Sequence, residues 1–124
     1  MPHTIVHFEI PANDPEKVAG FYRSLFGWQI GKTPGEGTEY WLIQTVAEGE
    51  HGVNGGIMRR QNPQQPPLNY IGVESVDEYA AKATGLGATL AMPKQAVPGM
   101  GFFAVLLDPE GNPVALWEEN AQAA

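Results

Sequence analysis

The fold is decided between residues 7 and 28, which contain His7-Phe8-Glu9-Ile10-Pro11-Ala12-Asn13-Asp14, then Phe21-Tyr22, then Leu25-Phe26-Gly27-Trp28. Polar and apolar side chains alternate at first, so a predicted strand over residues 4–10 presents His7 and Glu9 on one face and apolar side chains on the other. Asp14 is suited to cap a following helix, and Gly27 is suited to end it. The helix would cover the apolar face. His7 and Glu9 are left on the uncovered face, where a ligand could bind.

Length and composition predict one globular domain. The chain has 124 residues, of which 43% are hydrophobic. No apolar run approaches the ~20 residues of a membrane span, and the first residues lack the pattern of a signal peptide, so we expect cytoplasmic residence. The chain has no cysteine, which excludes disulfides, thiol nucleophiles and thiolate metal sites.

Charge argues against nucleic acid as a partner. Seven basic and fourteen acidic residues give a net charge of −7. Arg59-Arg60 is the only basic pair, and a basic stripe of the kind that binds phosphates is absent from the sequence. A small molecule is the expected ligand, and neither nucleic acid nor membrane is expected.

The second half repeats the first. Ser75 opens a second amphipathic helix through a capping box, and strands precede and follow that helix as they do the first. The order βαβββ, linker, βαβββ predicts an α+β domain over 1–124, with curled mixed sheets around a concave groove. Module one spans about 3–60, the proline-rich linker 61–67 and module two about 68–119.

Four further segments are predicted from composition. Glycine and proline indicate tight turns at 34–37 and 108–112. The loop 97–101 is interpreted either as a lid over the groove or as a hairpin. Residues 119–124 are predicted to be a frayed tail.

These features resemble the vicinal oxygen chelate superfamily, which includes glyoxalase I, extradiol dioxygenases and bleomycin-resistance proteins. The resemblance rests on four features. Two lie in the first module: His7 seven residues before Asp14, and Phe21-Tyr22 before Leu25-Phe26-Gly27. The other two are the doubled βαβββ order and the turn Asp108-Pro109-Glu110-Gly111-Asn112 before the last strand. It covers nearly the whole chain. A bacterial subgroup described as glyoxalase-like is resembled in three segments, His7–Ala12, Glu39-Tyr40-Trp41 and Gly55–Arg60. The resemblance also implies a homodimer, and pairing would cover exposed sheet edges.

Superfamily members that do chemistry use a divalent metal as a Lewis acid. The resemblance places the metal ligands on the first and last strand of each module, at His7, Gly56, Leu68 (or Asn69, if the register slips by one) and Ala115. Only His7 has a ligand side chain, whereas such sites need about three. We therefore expect no metal cofactor, and a divalent metal remains the alternative.

His7 and Glu9 are the candidate catalytic residues. A structural interpretation treats His7 as a hydrogen-bonded remnant of ancestry. The functional interpretation treats it as a group that orients a ligand or exchanges protons near neutral pH. A neighbouring carboxylate such as Glu9 is expected to raise the pKa of the imidazole.

Five large side chains are candidates to line the groove, although packing in the core is the commoner fate of such residues. They are Trp41, Met58, Tyr70, Phe103 and Trp117. Together with the small residues Gly56, Gly72 and Ala115, they would suit a flat or apolar ligand.

Three functions remain open at this point. The first is a metal-independent protein, either a binder or an enzyme of unknown substrate, that works in this groove. The second is a metal-dependent lyase, isomerase or dioxygenase of the glyoxalase type. The third is a non-catalytic protein that sequesters a drug or toxin, as bleomycin-resistance proteins do. The sequence does not decide whether the groove forms within one chain or across a dimer.

Overall fold

A computed structural model describes residues 2–34 and 39–124. The turn predicted at 34–37 falls mostly outside these residues. Two compact units are present. One comprises His7–Pro67, and the other comprises Leu68–Ala124 with the N-terminal residues up to Val6.

The first unit contains most of the first βαβββ module. Its strands follow the order β2-β3-β4-β1, with β1 parallel to β4 and the other pairs antiparallel. The elements are β1 (Ile5–Ala12), α1 (Pro15–Phe26), β2 (Gln29–Lys32), β3 (Tyr40–Gln44) and β4 (Gly55–Arg59).

Helix α1 begins and ends where the sequence predicts. The Asp14 carboxylate accepts a hydrogen bond from the Lys17 backbone N–H, and Pro15 occupies the first turn, where no N–H is needed. Gly27 ends the helix with a φ of 73°, a left-handed conformation that suits a residue without Cβ.

One face of this sheet packs against α1. The buried residues of its core are Ala12, Ala19, Ile30, Trp41, Ile43 and Ile57. Phe8 and Ile10 of β1 pack against this core. Side chains alternate along a strand, so His7 and Glu9 project from the other face.

The second unit contains the second module, with strand order β5-β8-β7-β6 and β5 parallel to β8. Its elements are β5 (Leu68–Gly72), α2 (Val76–Gly85), β6 (Thr89–Val97), β7 (Gly101–Leu107) and β8 (Pro113–Glu119). The predicted α+β class and the doubled βαβββ order are confirmed. Strand β6 contains two register irregularities against β7.

Helix α2 packs on the second sheet in the corresponding way. Ser75 caps it by accepting a hydrogen bond from the Glu78 backbone N–H. Leu116 belongs to the buried cluster beneath the helix, and Val114 packs against it. Glu118 also lies on this side, where its carboxylate accepts a hydrogen bond from the Val76 backbone N–H at 2.9 Å.

The structure decides the two predictions made for the segment 97–101 and for the C-terminal tail. The segment 97–101 forms a hairpin turn, because the Met100 N–H bonds to the Val97 carbonyl. The prediction of a frayed tail was wrong. Ala123 is only 5% exposed and its carbonyl accepts a hydrogen bond from the Gly99 N–H, so the tail is anchored on the hairpin.

In the part of the chain that the structure describes, neither helix has the length and apolar character that a membrane span requires.

Candidate functional site

The candidate site lies on the face of the first sheet that α1 does not cover. Strand β1 presents His7 and Glu9 there, and both are partly buried. The pairing of β1 with β4 sets Glu9 opposite Gly56, and the pairing of β4 with β3 sets Met58 opposite Tyr40. Residues opposite one another in a ladder share a face, and so do alternate residues of one strand. One surface therefore contains His7, Glu9, Tyr40, Gly56 and Met58.

Tyr40 connects the two residues of β1. The His7 Nε2 atom lies 2.7 Å from the Tyr40 hydroxyl oxygen, and that hydroxyl donates to the Glu9 Oε2 atom at 2.9 Å. The imidazole ring of His7 and the phenol ring of Tyr40 are nearly parallel, with 16° between their planes. Imidazole, phenol and carboxylate thus form one hydrogen-bonded array.

The hydrogen bonds of this array favour one tautomer of His7. An ionised carboxylate only accepts hydrogen bonds, so the single phenolic proton of Tyr40 points to Glu9. With the phenolic proton so placed, the Tyr40 oxygen can accept from His7 in the tautomer that carries its proton on Nε2. If His7 becomes doubly protonated, its Nε2 proton can pass to Tyr40 while the Tyr40 proton passes to Glu9. The arrangement can therefore exchange a proton between imidazole and carboxylate.

Burial lowers the pKa of His7 below its ordinary value, because desolvation penalises the charged imidazolium. This corrects the expectation that Glu9 raises that pKa. The Glu9 carboxylate is connected to the imidazole through the Tyr40 hydroxyl, and burial is what lowers the pKa of His7. His7 is consequently neutral at physiological pH.

The linker borders this surface. Arg60 donates to the Gln65 carbonyl at 2.6 Å and to the Pro11 carbonyl at 3.2 Å, which ties the linker to β1. The Gln65 side-chain amide lies 3.6 Å from the Met58 sulfur. Arg60 thus holds the backbone of Gln65 at the edge of the site.

Trp41 lies on the opposite face, which corrects the expectation that it lines the groove. It is 2% exposed in the core beneath α1, and its indole N–H donates to Glu16 at 2.5 Å. Strand alternation is the reason, because Tyr40 and Trp41 are adjacent in β3 and must point to opposite faces.

Near Trp41, Glu39 pairs with Arg59 and with Lys32. Hydrogen bonds from Arg59 and Lys32 lower the pKa of Glu39 to about 2. Arg59 is therefore held by Glu39 on the strand rather than directed toward a ligand.

The second unit brings together three of the predicted ligand-binding residues. Tyr70 is 7% exposed, and its ring centroid lies 6.2 Å from that of Phe103. Phe103 pairs with Trp117, and the Trp117 ring occupies the space above Gly101. Ala115, opposite Tyr70, is fully buried. These three aromatic side chains thus lie on the face opposite α2.

The remaining histidines lie elsewhere on the surface. His3 is exposed and forms a hydrogen bond with Glu74 at 2.8 Å. His51 is exposed in the loop between β3 and β4.

The residues at the predicted ligand positions do not fit a divalent-metal site. Gly56, Leu68 and Ala115 have no donor atoms in their side chains, and the Nε2 atom of His7 is engaged with the Tyr40 hydroxyl. Across residues 2–34 and 39–124, no three histidine, cysteine, aspartate or glutamate side chains are grouped so that they could hold a metal ion.

The glyoxalase-like domain family matches residues 6–117, which is most of the chain. The protein belongs to the glyoxalase-like domain family. The resemblance to the vicinal oxygen chelate superfamily is thereby confirmed.

Solved structures share the fold of this glyoxalase-like domain. A hypothetical protein from Bacillus halodurans C-125 gives a TM-score of 0.74 at 15% identity, over 100% of this chain and 99% of that one. A variant of Streptomyces coelicolor methylmalonyl-CoA epimerase in complex with 2-nitronate-propionyl-CoA gives 0.71 at 16% identity, over 100% and 99%. Methylmalonyl-CoA epimerase from Mycobacterium tuberculosis gives 0.70 at 13% identity, over 94% and 87%. No curated protein sequence matches the chain.

Tyr40 is the residue of this glyoxalase-like site that sequence analysis missed. The only available signal was the phase of β3. Gln44 is polar and shares its face with Tyr40, whereas Ile43 and Trp41 share the other. A polar residue at one end of a half-buried strand marks the uncovered face, and that would have favoured Tyr40 over Trp41.

Proposed function

We propose that this glyoxalase-like domain binds a small organic molecule at the surface formed by His7, Tyr40 and Glu9, and that it can exchange a proton with that ligand. The observation that carries the proposal is the Tyr40 hydroxyl, which bonds to both the imidazole and the carboxylate. Three polar groups connected in series at a partly buried surface are typical of a binding or catalytic site.

The surroundings support a ligand with an apolar part. Met58 lies beside the polar groups, and Leu42 on the same face is 52% exposed. In the other unit, Tyr70, Phe103 and Trp117 stay predicted ligand contacts in their own right.

The test is a ligand screen by thermal stabilisation, with protein purified without a metal-affinity tag. Aromatic and apolar carbonyl compounds form the main panel. Coenzyme A thioesters are included because one structural neighbour was solved with such a derivative. A ligand that binds the folded state raises the midpoint of thermal unfolding.

The variants decide whether a hit binds at the proposed surface. We expect Tyr40→Phe and Glu9→Gln to lose at least tenfold in affinity, since Tyr40→Phe removes both hydrogen bonds of the array and Glu9→Gln removes the carboxylate charge at its end. The matched control is Tyr22→Phe on α1, whose ring stacks on Trp28. A hit that is unaffected by Tyr40→Phe and Glu9→Gln would refute the proposal.

Turnover separates an enzyme from a sequestering protein, because stoichiometric binding without product favours the bleomycin-resistance type of function. The metal-dependent alternative predicts about one equivalent of bound divalent metal, lost in His7→Ala, and activity lost on chelation. That result would replace the present proposal.

A further inference from the structure

Tyr40 fills the space of a side chain that β4 lacks. A Cβ atom built on Gly56 would overlap the hydroxyl and ring atoms of Tyr40. A Cβ atom on Gly31, in the neighbouring strand β2, would meet nothing within 4 Å. Glycine at position 56 is therefore required by the phenol from β3, whereas Gly31 faces open space.

The position of Gly56 gives this packing a functional meaning. The resemblance places the first metal ligand of the module at His7, on β1. It places the second at Gly56, on β4, the last strand of the module. In this chain β4 contributes no side chain there, and β3 contributes a phenol. The Tyr40 oxygen lies within hydrogen-bond distance of His7, as a group that replaced a ligand would.

The hydrogen bonds also determine what His7 can do. Glu9 directs the phenolic proton, and the Tyr40 oxygen then takes the Nε2 proton of His7. An imidazole nitrogen that carries a proton has no lone pair for a metal. The same phenol thus fills the ligand position and occupies the Nε2 atom.

We propose that Tyr40 has taken the place of the second metal ligand and acts as a positioning residue that holds His7 as its Nε2–H tautomer, so that this surface engages ligands through hydrogen bonds instead of through a divalent cation. The inference rests on the proposed function for the role of the surface, but its tests need no ligand.

The first test measures the packing of Tyr40 on Gly56 by a double-mutant cycle. We expect Gly56→Ala to lower the denaturant midpoint in the wild type, and to lose most of that effect when Tyr40→Ala is already present. Rescue of soluble yield by Tyr40→Ala counts as the same result if Gly56→Ala alone folds poorly. Gly31→Ala is the matched control and should cost equally little with and without Tyr40→Ala. An unchanged cost of Gly56→Ala in the two backgrounds would overturn the inference.

The second test reads the proton on His7 directly. In ¹⁵N-labelled wild-type protein near neutral pH, we expect His7 Nε2 to show the chemical shift of a protonated nitrogen and a ring proton protected from solvent. Tyr40→Phe should remove that protection, while His3 and His51 in the same spectrum stay unchanged. A proton on Nδ1 alone in the wild type, or a His7 Nε2 resonance that moves to a metal-bound position on addition of equimolar Zn²⁺, would overturn the inference.

These tests fail independently of the ligand screen. A negative screen leaves the tautomer and the packing cycle measurable. A failed packing cycle or a proton on Nδ1 removes the role of Tyr40 without removing a ligand found by the screen.

Discussion

His7 holds its proton less readily in the folded protein than in the unfolded chain, because burial lowers its pKa. Between the folded and unfolded pKa values the unfolded chain binds more protons, so protonation favours unfolding. This contribution to stability is fully present above the unfolded value of about 6.5, and it is lost as pH falls from there toward the folded value.

We therefore expect the free energy of unfolding to fall more steeply for wild-type protein than for His7→Gln between about pH 7 and about pH 5. Chemical denaturation at several pH values measures this difference. His51→Gln, on an exposed loop, is the matched control. A free energy of unfolding that falls no more steeply for wild type than for His7→Gln on acidification would contradict the role assigned to burial.

At the residue scale, sequence analysis found His7 and Glu9 and missed Tyr40. Both β1 residues follow from alternation beside an unmistakable helix start, so their face was predictable. The phase of β3 was ambiguous because apolar and aromatic side chains lie on both of its faces. The contacts of Tyr40 depend on pairing with β4, and a single strand does not contain that information.

At the element scale, the helix boundaries are written locally in the sequence. Asp14 caps α1, Gly27 ends it, and Ser75 caps α2. Each cap satisfies backbone N–H or C=O groups within a few residues of itself, so neighbouring residues alone specify it.

We predict that Asp14→Ala lowers the free energy of unfolding by about 1 kcal/mol, because the Lys17 N–H loses its acceptor. Asp14→Asn keeps a side-chain oxygen at the cap and should cost only a fraction of this. Urea denaturation of the two variants and the wild type is the measurement. Equal losses in both variants would show that charge at the helix start, and not the cap itself, carries the effect.

The C-terminal segment shows the limit of local inference. Its small polar residues predict fraying, yet the Asn120 N–H bonds to the Met100 carbonyl and the Ala123 carbonyl is bonded to Gly99. These partners lie on the hairpin some twenty residues earlier in the chain, so composition could not reveal them.

At the scale of the whole molecule, the homodimer remains a prediction from the resemblance. Strand β6 ends the strand order of its unit and is exposed over most of its length, which is the kind of edge that pairing covers. We expect light scattering coupled to size exclusion to give twice the chain mass, with dissociation on dilution. A chain mass that stays monomeric at high protein concentration would contradict the prediction.

The repeat, the α+β class, the helix caps and the uncovered face of β1 can be predicted from the amino-acid sequence, because each depends on periodicity or on contacts a few residues apart. Tertiary structure alone decided that Tyr40 and not Trp41 joins His7, that Gly56 makes room for a phenol, and that the tail is anchored. These outcomes depend on which strands pair and in what register. Such contacts join residues far apart in the chain, and a one-residue change of phase reverses the face of every side chain in a strand.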